Sequence, residues 1–426
     1  MNCNQCEQTL KGGCTTVGVC GKNEDIASLQ DTVIYALKGI AAYAYHAREL
    51  GYHDETVDAF MHKALFSTLT NVNFNLQEHI ALALETGSVT IKAMELLDKA
   101  HTDKLGMPEP SSVEQNKVEG KAILVTGHDL FALKKLLEQS EGKGVNIYTH
   151  SEMLPAHSYP ELKKFKHMKG NIGKSWTDQR VLFEKFQGAI LGTTNCVVPV
   201  LGNYAERMFT YGIAGLEKVK KIENEDFSPL IEKALSLPDV EMVETGKLTT
   251  GFHHSTILAL APKILEAVKS GKIKRFFVIA GCDAPGTGND YFGDLARTLP
   301  DDVVILTSAC GKFRFNDHGF GDIDGLPRLI DVGQCNNSIS LIKVATGLAE
   351  ALDCGVNDLP LTIVLSWFEQ KAVAILLGLF SLGVKNVWLG AKAPEFLTSG
   401  VVKVLQDSFN LQLTTNVEDD LKKMLG

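Results

Sequence analysis

The chain has 426 residues, 45% of them hydrophobic, with 51 acidic against 42 basic side chains and a net charge of -9. That length supports a core divided among about two to four domains, and no basic block exists to neutralise a phosphate backbone, which leaves small molecules and proteins as partners. The odd count of nine cysteines, in a chain opening Met1-Asn2-Cys3 with neither a basic n-region nor an apolar h-region, predicts a cytoplasmic protein whose thiols serve metals or redox chemistry, not disulfides.

After the first cysteines, Glu24 to Thr102 carries apolar residues at helical spacing, as in Ile34, Leu37, Ile40 and Ala41, or Ile80, Leu82, Leu84 and Ile91. Breaks near Gly51-Tyr52-His53 and Asn71-Val72-Asn73 predict an antiparallel bundle of three helices. Gly106-Met107-Pro108-Glu109-Pro110 then ends the helical rhythm.

From there short apolar runs alternate with amphipathic segments: Ala122–Thr126, Val145–Thr149, Gly188–Leu191, Arg275–Ala280, Val303–Thr307, Leu329–Val332, Leu361–Leu365 and Asn386–Leu389. Such alternation predicts Rossmann-like α/β domains with mostly parallel sheets covered on both faces. The polar stretch Lys218 to Thr250, with little strand character, is the expected boundary between two of them. The expected division is thus 1–105 (cysteine motif and helical bundle), 106–235 (first α/β domain) and 236–426 (second α/β domain). The longest apolar stretch, Ala372 to Val384, is interrupted by Gly378, Ser381 and Gly383 and is too short to cross a bilayer.

Cys3-x2-Cys6-x7-Cys14-x5-Cys20 supplies four thiolates within eighteen residues, enough for one four-coordinate centre. Gly12, Gly13, Gly18 and Gly21 let the backbone wrap tightly and aim amide donors at sulfur. Tetrahedral zinc is the alternative; zinc ribbons pair two CxxC knuckles and this motif has one, which favours a 4Fe-4S cubane.

Functional groups of open parallel sheets collect at the carboxyl ends of strands. His128, Glu152 and Cys196 follow three predicted strands of the first α/β domain, and Cys282, Cys310, Cys335 and Glu369 follow four of the second. If these edges face each other, seven ligands of mixed hardness meet, more than a single zinc or mononuclear iron needs. Taken singly, a buried cysteine is usually a small hydrophobe and a histidine after a strand a loop residue; the joint placement favours a multi-iron centre, sulfur-rich on one side and oxygen-rich on the other.

The Cys3-x2-Cys6 motif with Cys14 and Cys20, Gly127-His128-Asp129, Thr149 to His157, Thr194-Asn195-Cys196, Gly281-Cys282-Asp283, Gly333-Gln334-Cys335-Asn336 and Ser366-Trp367-Phe368-Glu369-Gln370-Lys371 closely resemble the hybrid cluster (prismane) proteins, or hydroxylamine reductases. The match covers nearly the whole chain. The resemblance implies a 4Fe-4S cluster on the four N-terminal cysteines and a hybrid iron-sulfur-oxygen cluster of 4Fe-2S-2O type on His128, Glu152, Cys196, Cys282, Cys310, Cys335 and Glu369, with Cys282 as the persulfide. It also implies reduction of hydroxylamine to ammonia and water, with electrons entering from a small redox protein through the cubane. A single helical bundle marks the short class of the family, and the architectural likeness of the family to nickel-iron carbon monoxide dehydrogenases suggests a homodimer.

Glu369, Glu152 and Lys371 are the candidates for proton delivery, and Cys282 for a change of coordination on reduction. Lys371 opens a helix, so it reads equally as a solvent-facing lysine of a first turn. His253 and His254, like His150 and His157, read as capping or packing residues, Cys354 as structural, and Pro285-Gly286-Thr287-Gly288 as a backbone turn, since it lacks both the dinucleotide fingerprint and a P-loop lysine. Two other functions fit the same residues: reduction of nitric oxide to nitrous oxide in nitrosative stress defence, and a non-catalytic redox or nitrosylation sensor, against which the lack of a recognisable output domain counts.

Overall fold

The computed structural model describes residues 1–426 apart from 2, 10, 244, 286–289, 367, 368 and 391; most of the Pro285–Gly288 turn and the Trp367-Phe368 pair therefore lie outside the described residues. Three long helices follow the cysteine motif as the periodicity predicts: α1 (Glu24–Glu49), α2 (Glu55–Ser67) and α3 (Leu76–Leu105). Asn23 caps α1 by accepting from Ile26 N, and Asp54 caps α2 by accepting from Thr56 N, each satisfying an amide that the first turn leaves unpaired.

All the predicted strands form. A six-stranded, wholly parallel sheet runs in the order Met168–Asn171, Val145–His150, Lys121–Thr126, Ala189–Gly192, Met208–Thr210, Lys220–Lys221. Its central strand is apolar on both sides because it is covered on both. Ile123 and Val125 pack into one core with Leu133, Leu136 and Leu137 of the helix Leu130–Ser140, while Ala122 and Leu124 join Tyr148, Phe183 and Tyr204 on the other face. A second parallel ladder pairs Arg275–Gly281 with Leu361–Ser366, which pairs with Val387–Gly390 and that with Gln412–Leu413; Val303–Thr307 pairs in parallel with Leu329–Asp331.

The stretch 218–250 is more ordered than its polarity suggests. It holds strand Lys220–Lys221, helix Ser228–Ser236 with Pro229 in its first turn, and strand Lys247–Thr250, which pairs antiparallel with Ser111–Glu114. Phe227, Leu230, Ile231 and Ala234 insert into the core of the first sheet, so this helix is an integral cover of that sheet.

The chain forms two compact units, Met1–His101 with Arg275–Cys282 and Leu341–Gly426, and Thr102–Lys274 with Asp283–Ser340. In the first unit, helix Gln370–Ser381 lies so close to α1 and α3 that side chains are excluded at the crossings. A Cβ at Gly39 would fall 2.9 Å from Ala374 Cβ, and one at Gly87 only 2.0 Å from the Leu377 carbonyl oxygen. Gly87→Ala should therefore destabilise by roughly 1–3 kcal/mol through overpacking, although alanine in an exposed helix stabilises by about 1 kcal/mol. Denaturant unfolding reads the difference; a variant as stable as the parent would show that the helices part at no cost.

Candidate metal centre

At the N-terminus, Cys3 and Cys14 face each other across an antiparallel bridge, with Cys3 N donating to Cys14 O (3.1 Å) and Cys14 N to Cys3 O (2.8 Å). Gly21 N to Gly18 O and Gly18 N to Lys22 O, both 2.8 Å, close the turn that carries Cys20. The Thr9 hydroxyl, 3.5 Å from Cys6 Sγ, holds that thiol below the ordinary thiol range against the opposing effect of burial. No disulfide joins any of the nine cysteines.

In the second unit the strand ends are bent by left-handed backbone. Ser151 (φ +55°), Cys196 (φ +66°) and Ala309 (φ +64°) each adopt it at or just before a candidate ligand. Non-glycine residues in this conformation cost on the order of 1 kcal/mol or more apiece, and such strain gathers at functional sites. Gly127 (φ +114°), preceding His128, is confined as well: a Cβ there would lie 2.3 Å from Thr193 Oγ1.

These bends bring the five candidates of this unit together. Ligand atoms of His128, Glu152 and Cys335 all lie within 4.8 Å of one another, and the three residues are buried. His128 Nε2 is 3.9 Å from Glu152 Oε2, which also accepts from Cys335 N at 2.9 Å. Thr194 Oγ1 accepts from His128 N at 2.8 Å and sits 2.9 Å from Nδ1, fixing the ring with Nε2 toward the carboxylate. Cys310 Sγ meets Ser151 Oγ at 3.4 Å. Its thiol is pushed well up, first by a hydrogen bond with Cys196, then by burial and the Glu152 charge. Asn195 Nδ2 donates to Cys196 Sγ at 3.3 Å.

In the first unit, Gly281 pairs with Ser366 on the adjacent strand, and Cys282 Sγ comes within 3.8 Å of Glu369 Oε1. Lys371 is not the solvent-facing lysine that one reading of the sequence allows: it is 4% exposed, with Nζ 5.9 Å from the centre of the Tyr43 ring.

The histidines set aside are held by hydroxyl, amide and carboxylate partners. His253 caps a short helix by accepting from Ser255 N, and His254 Nδ1 lies 3.1 Å from Ser340 Oγ. His150 is held between Thr126 Oγ1 (3.0 Å) and Asp178 Oδ1 (2.8 Å). Burial pushes His157 down to about 4, so it is neutral, 2.9 Å from Thr149 Oγ1. Cys354 follows helix Ser338–Ala351.

Three positioning residues had no role assigned from the sequence, although Gln334 and Thr194 stand inside its motifs. Gln334, 1% exposed, donates from Nε2 to the carbonyls of both His128 (3.1 Å) and Glu152 (2.7 Å), joining two loops to the residue before Cys335. Thr194 orients His128. Lys312, fully buried two residues past Cys310, bonds Asp331 Oδ1 (3.0 Å) and Gly333 O (2.9 Å). Gln334→Met removes both donors at once and costs two buried hydrogen bonds, about 0.5–1.5 kcal/mol each. Iron bound per chain at this site should fall while the N-terminal complement stays; full iron at both would contradict that role.

The donor set fits an iron-sulfur group with partly oxygen and nitrogen ligation. Three thiols, an imidazole and a carboxylate converge in a buried space, and metal binding would remove the proton that Cys310 otherwise keeps. Four further thiols stand at the N-terminus.

Known proteins agree with the fold first. The structure of carbon monoxide dehydrogenase IV from Carboxydothermus hydrogenoformans superposes with a TM-score of 0.81 at 14% identity, over 100% of this chain and 91% of that one. The fold is that of a carbon monoxide dehydrogenase subunit, with helices at the N-terminus and parallel sheets after them. The Prismane/CO dehydrogenase family model matches residues 1–82 and 75–422, and the chain belongs to that family. Proteins called hydroxylamine reductase are 60% identical in Moorella thermoacetica and 51% identical in Methanothermobacter thermautotrophicus, each aligned over the whole of both chains. The resemblance to the hybrid cluster (prismane) proteins holds across the chain.

Proposed function

We propose that this protein is an iron-sulfur oxidoreductase that reduces hydroxylamine: NH2OH + 2 H⁺ + 2 e⁻ gives NH3 + H2O. The observation that carries the reading is the buried convergence of His128, Glu152 and Cys335, with Cys310 and Cys196 linked to them, in a chain 60% identical throughout to a hydroxylamine reductase.

In this reading Cys3, Cys6, Cys14 and Cys20 hold a 4Fe-4S cluster, and His128, Glu152, Cys196, Cys282, Cys310, Cys335 and Glu369 hold a hybrid 4Fe-2S-2O type cluster, with Cys282 as a persulfide. When bound, these groups supply electrons and Lewis-acid sites. The chain supplies orientation and protons. Thr194 fixes the imidazole of His128, the Cys335 amide holds one oxygen of Glu152, and Gln334 ties both loops. Glu152, Glu369 and Lys371 are the proton donors we assign, with Lys371 shielded from bulk water. In the same reading the enzyme is cytoplasmic, is served by a small redox protein and acts as a homodimer; no helix among the described residues is long and apolar enough to cross a membrane.

Anaerobic assays with a reduced viologen test the reading. One ammonia formed per two electrons consumed supports it. Nitrous oxide from nitric oxide, with no ammonia from hydroxylamine, would move the assignment to nitric oxide reduction. Neither turnover in protein with both clusters intact would leave the sensor.

A further inference from the structure

Lys22 stands two residues past Cys20 and is 2% exposed. Its Nζ donates to Gln30 Oε1 at 2.6 Å, and Gln30 is neutral and itself 3% exposed. Among the described residues no carboxylate reaches ion-pairing distance of this ammonium. Asp31 feels its charge but forms no bond to it. A buried ammonium bonded only to a neutral amide is unfavourable, so a negative group belongs beside it.

The turn that buries Lys22 points to that group. A Cβ at Gly18 would lie 3.2 Å from Cys20 Sγ and 3.3 Å from Lys22 Cβ, so sulfur and lysine stem flank one point. The Gly18 amide closes onto Lys22 O at 2.8 Å, folding the lysine back along the cysteine motif.

We propose that Lys22 is the fixed counter-charge of the N-terminal iron-sulfur cluster and raises its reduction potential, setting the ease with which electrons enter the protein. This rests on the cluster assignment made above for Cys3, Cys6, Cys14 and Cys20. One electron passes from a reduced donor of the viologen class to the cluster; no bond breaks and no proton moves. The cluster gains one negative charge, so a fixed positive charge favours the reduced form over the oxidised one.

The test is an EPR-monitored reductive titration of anaerobic, iron-loaded full-length protein with viologen mediators, on the parent, Lys22→Met and Gln30→Glu. Lys22→Met removes the charge at similar volume. Gln30→Glu keeps the lysine and gives it an anion. Both variants should make one-electron reduction of the N-terminal cluster about tenfold less favourable, a shift of about 59 mV to more negative potential, with the second cluster's signal unmoved. A parental midpoint in Gln30→Glu overturns the proposal, and if Lys22→Met assembles no cluster, Gln30→Glu decides alone. A parent protein loaded with iron only at the second site overturns the cluster assignment itself, which separates that failure from this one.

Discussion

Glu152→Gln should abolish most hydroxylamine reduction, lowering kcat/KM by about 10³-fold, while leaving the N-terminal cluster and the fold intact. Glu152 Oε2 accepts from Cys335 N at 2.9 Å and stands 3.9 Å from His128 Nε2, so one carboxylate oxygen joins two other candidate ligands. An amide can still accept from Cys335 N, which preserves the loop. Its neutral carbonyl oxygen cannot provide the negative charge of a carboxylate ligand, nor can it carry a proton at the pH of the assay. Iron per chain should fall toward the content of the N-terminal site alone, and circular dichroism should match the parent. Full iron content with undiminished turnover would remove Glu152 from the centre.

Lys312→Met should be among the most destabilising single substitutions, by roughly 3–5 kcal/mol. Lys312 and Asp331 are both fully buried, and the ammonium bonds the carboxylate and the Gly333 carbonyl. Asp331 in turn accepts from Gly333 N at 2.9 Å, while its backbone carbonyl accepts from Gly251 N and Phe252 N. Removing the ammonium strands a carboxylate in a dry interior. The double variant Lys312→Met, Asp331→Asn removes both charges and should recover much of the loss, because most of the penalty comes from the unpaired ion. Denaturant midpoints of the two variants separate these cases. Equal loss in both would mean that Lys312 acts through packing alone.

The strand-end rule made the candidate ligands legible. His128, Glu152, Cys196, Cys310 and Cys335 each follow an apolar run, and parallel register brings the ends of such runs to one edge. The three long helices were legible from their period and their breaks. What holds the ligands was not, because it depends on contacts between residues far apart in sequence. Gln334 reaches carbonyls 206 and 182 residues away, and Thr194 reaches His128 across 66. The antiparallel pairing of Ser111–Glu114 with Lys247–Thr250 joins short segments whose apolar periodicity is too brief to read. The buried state of Lys371 follows from the helix Gln370–Ser381 lying against α1, which Gly39 permits by having no side chain. Left-handed backbone at Ser151, Cys196 and Ala309 has no signature in those residue types, since glycine or asparagine would ordinarily mark it.

Anomalous diffraction at the iron edge, on crystals grown from anaerobically prepared protein, tests the central claim most directly. The account predicts iron beside Cys3, Cys6, Cys14 and Cys20 and a second group of iron atoms against His128, Glu152, Cys196, Cys310 and Cys335. Iron at the N-terminal site alone, or zinc in place of iron at either, would contradict a two-cluster redox enzyme.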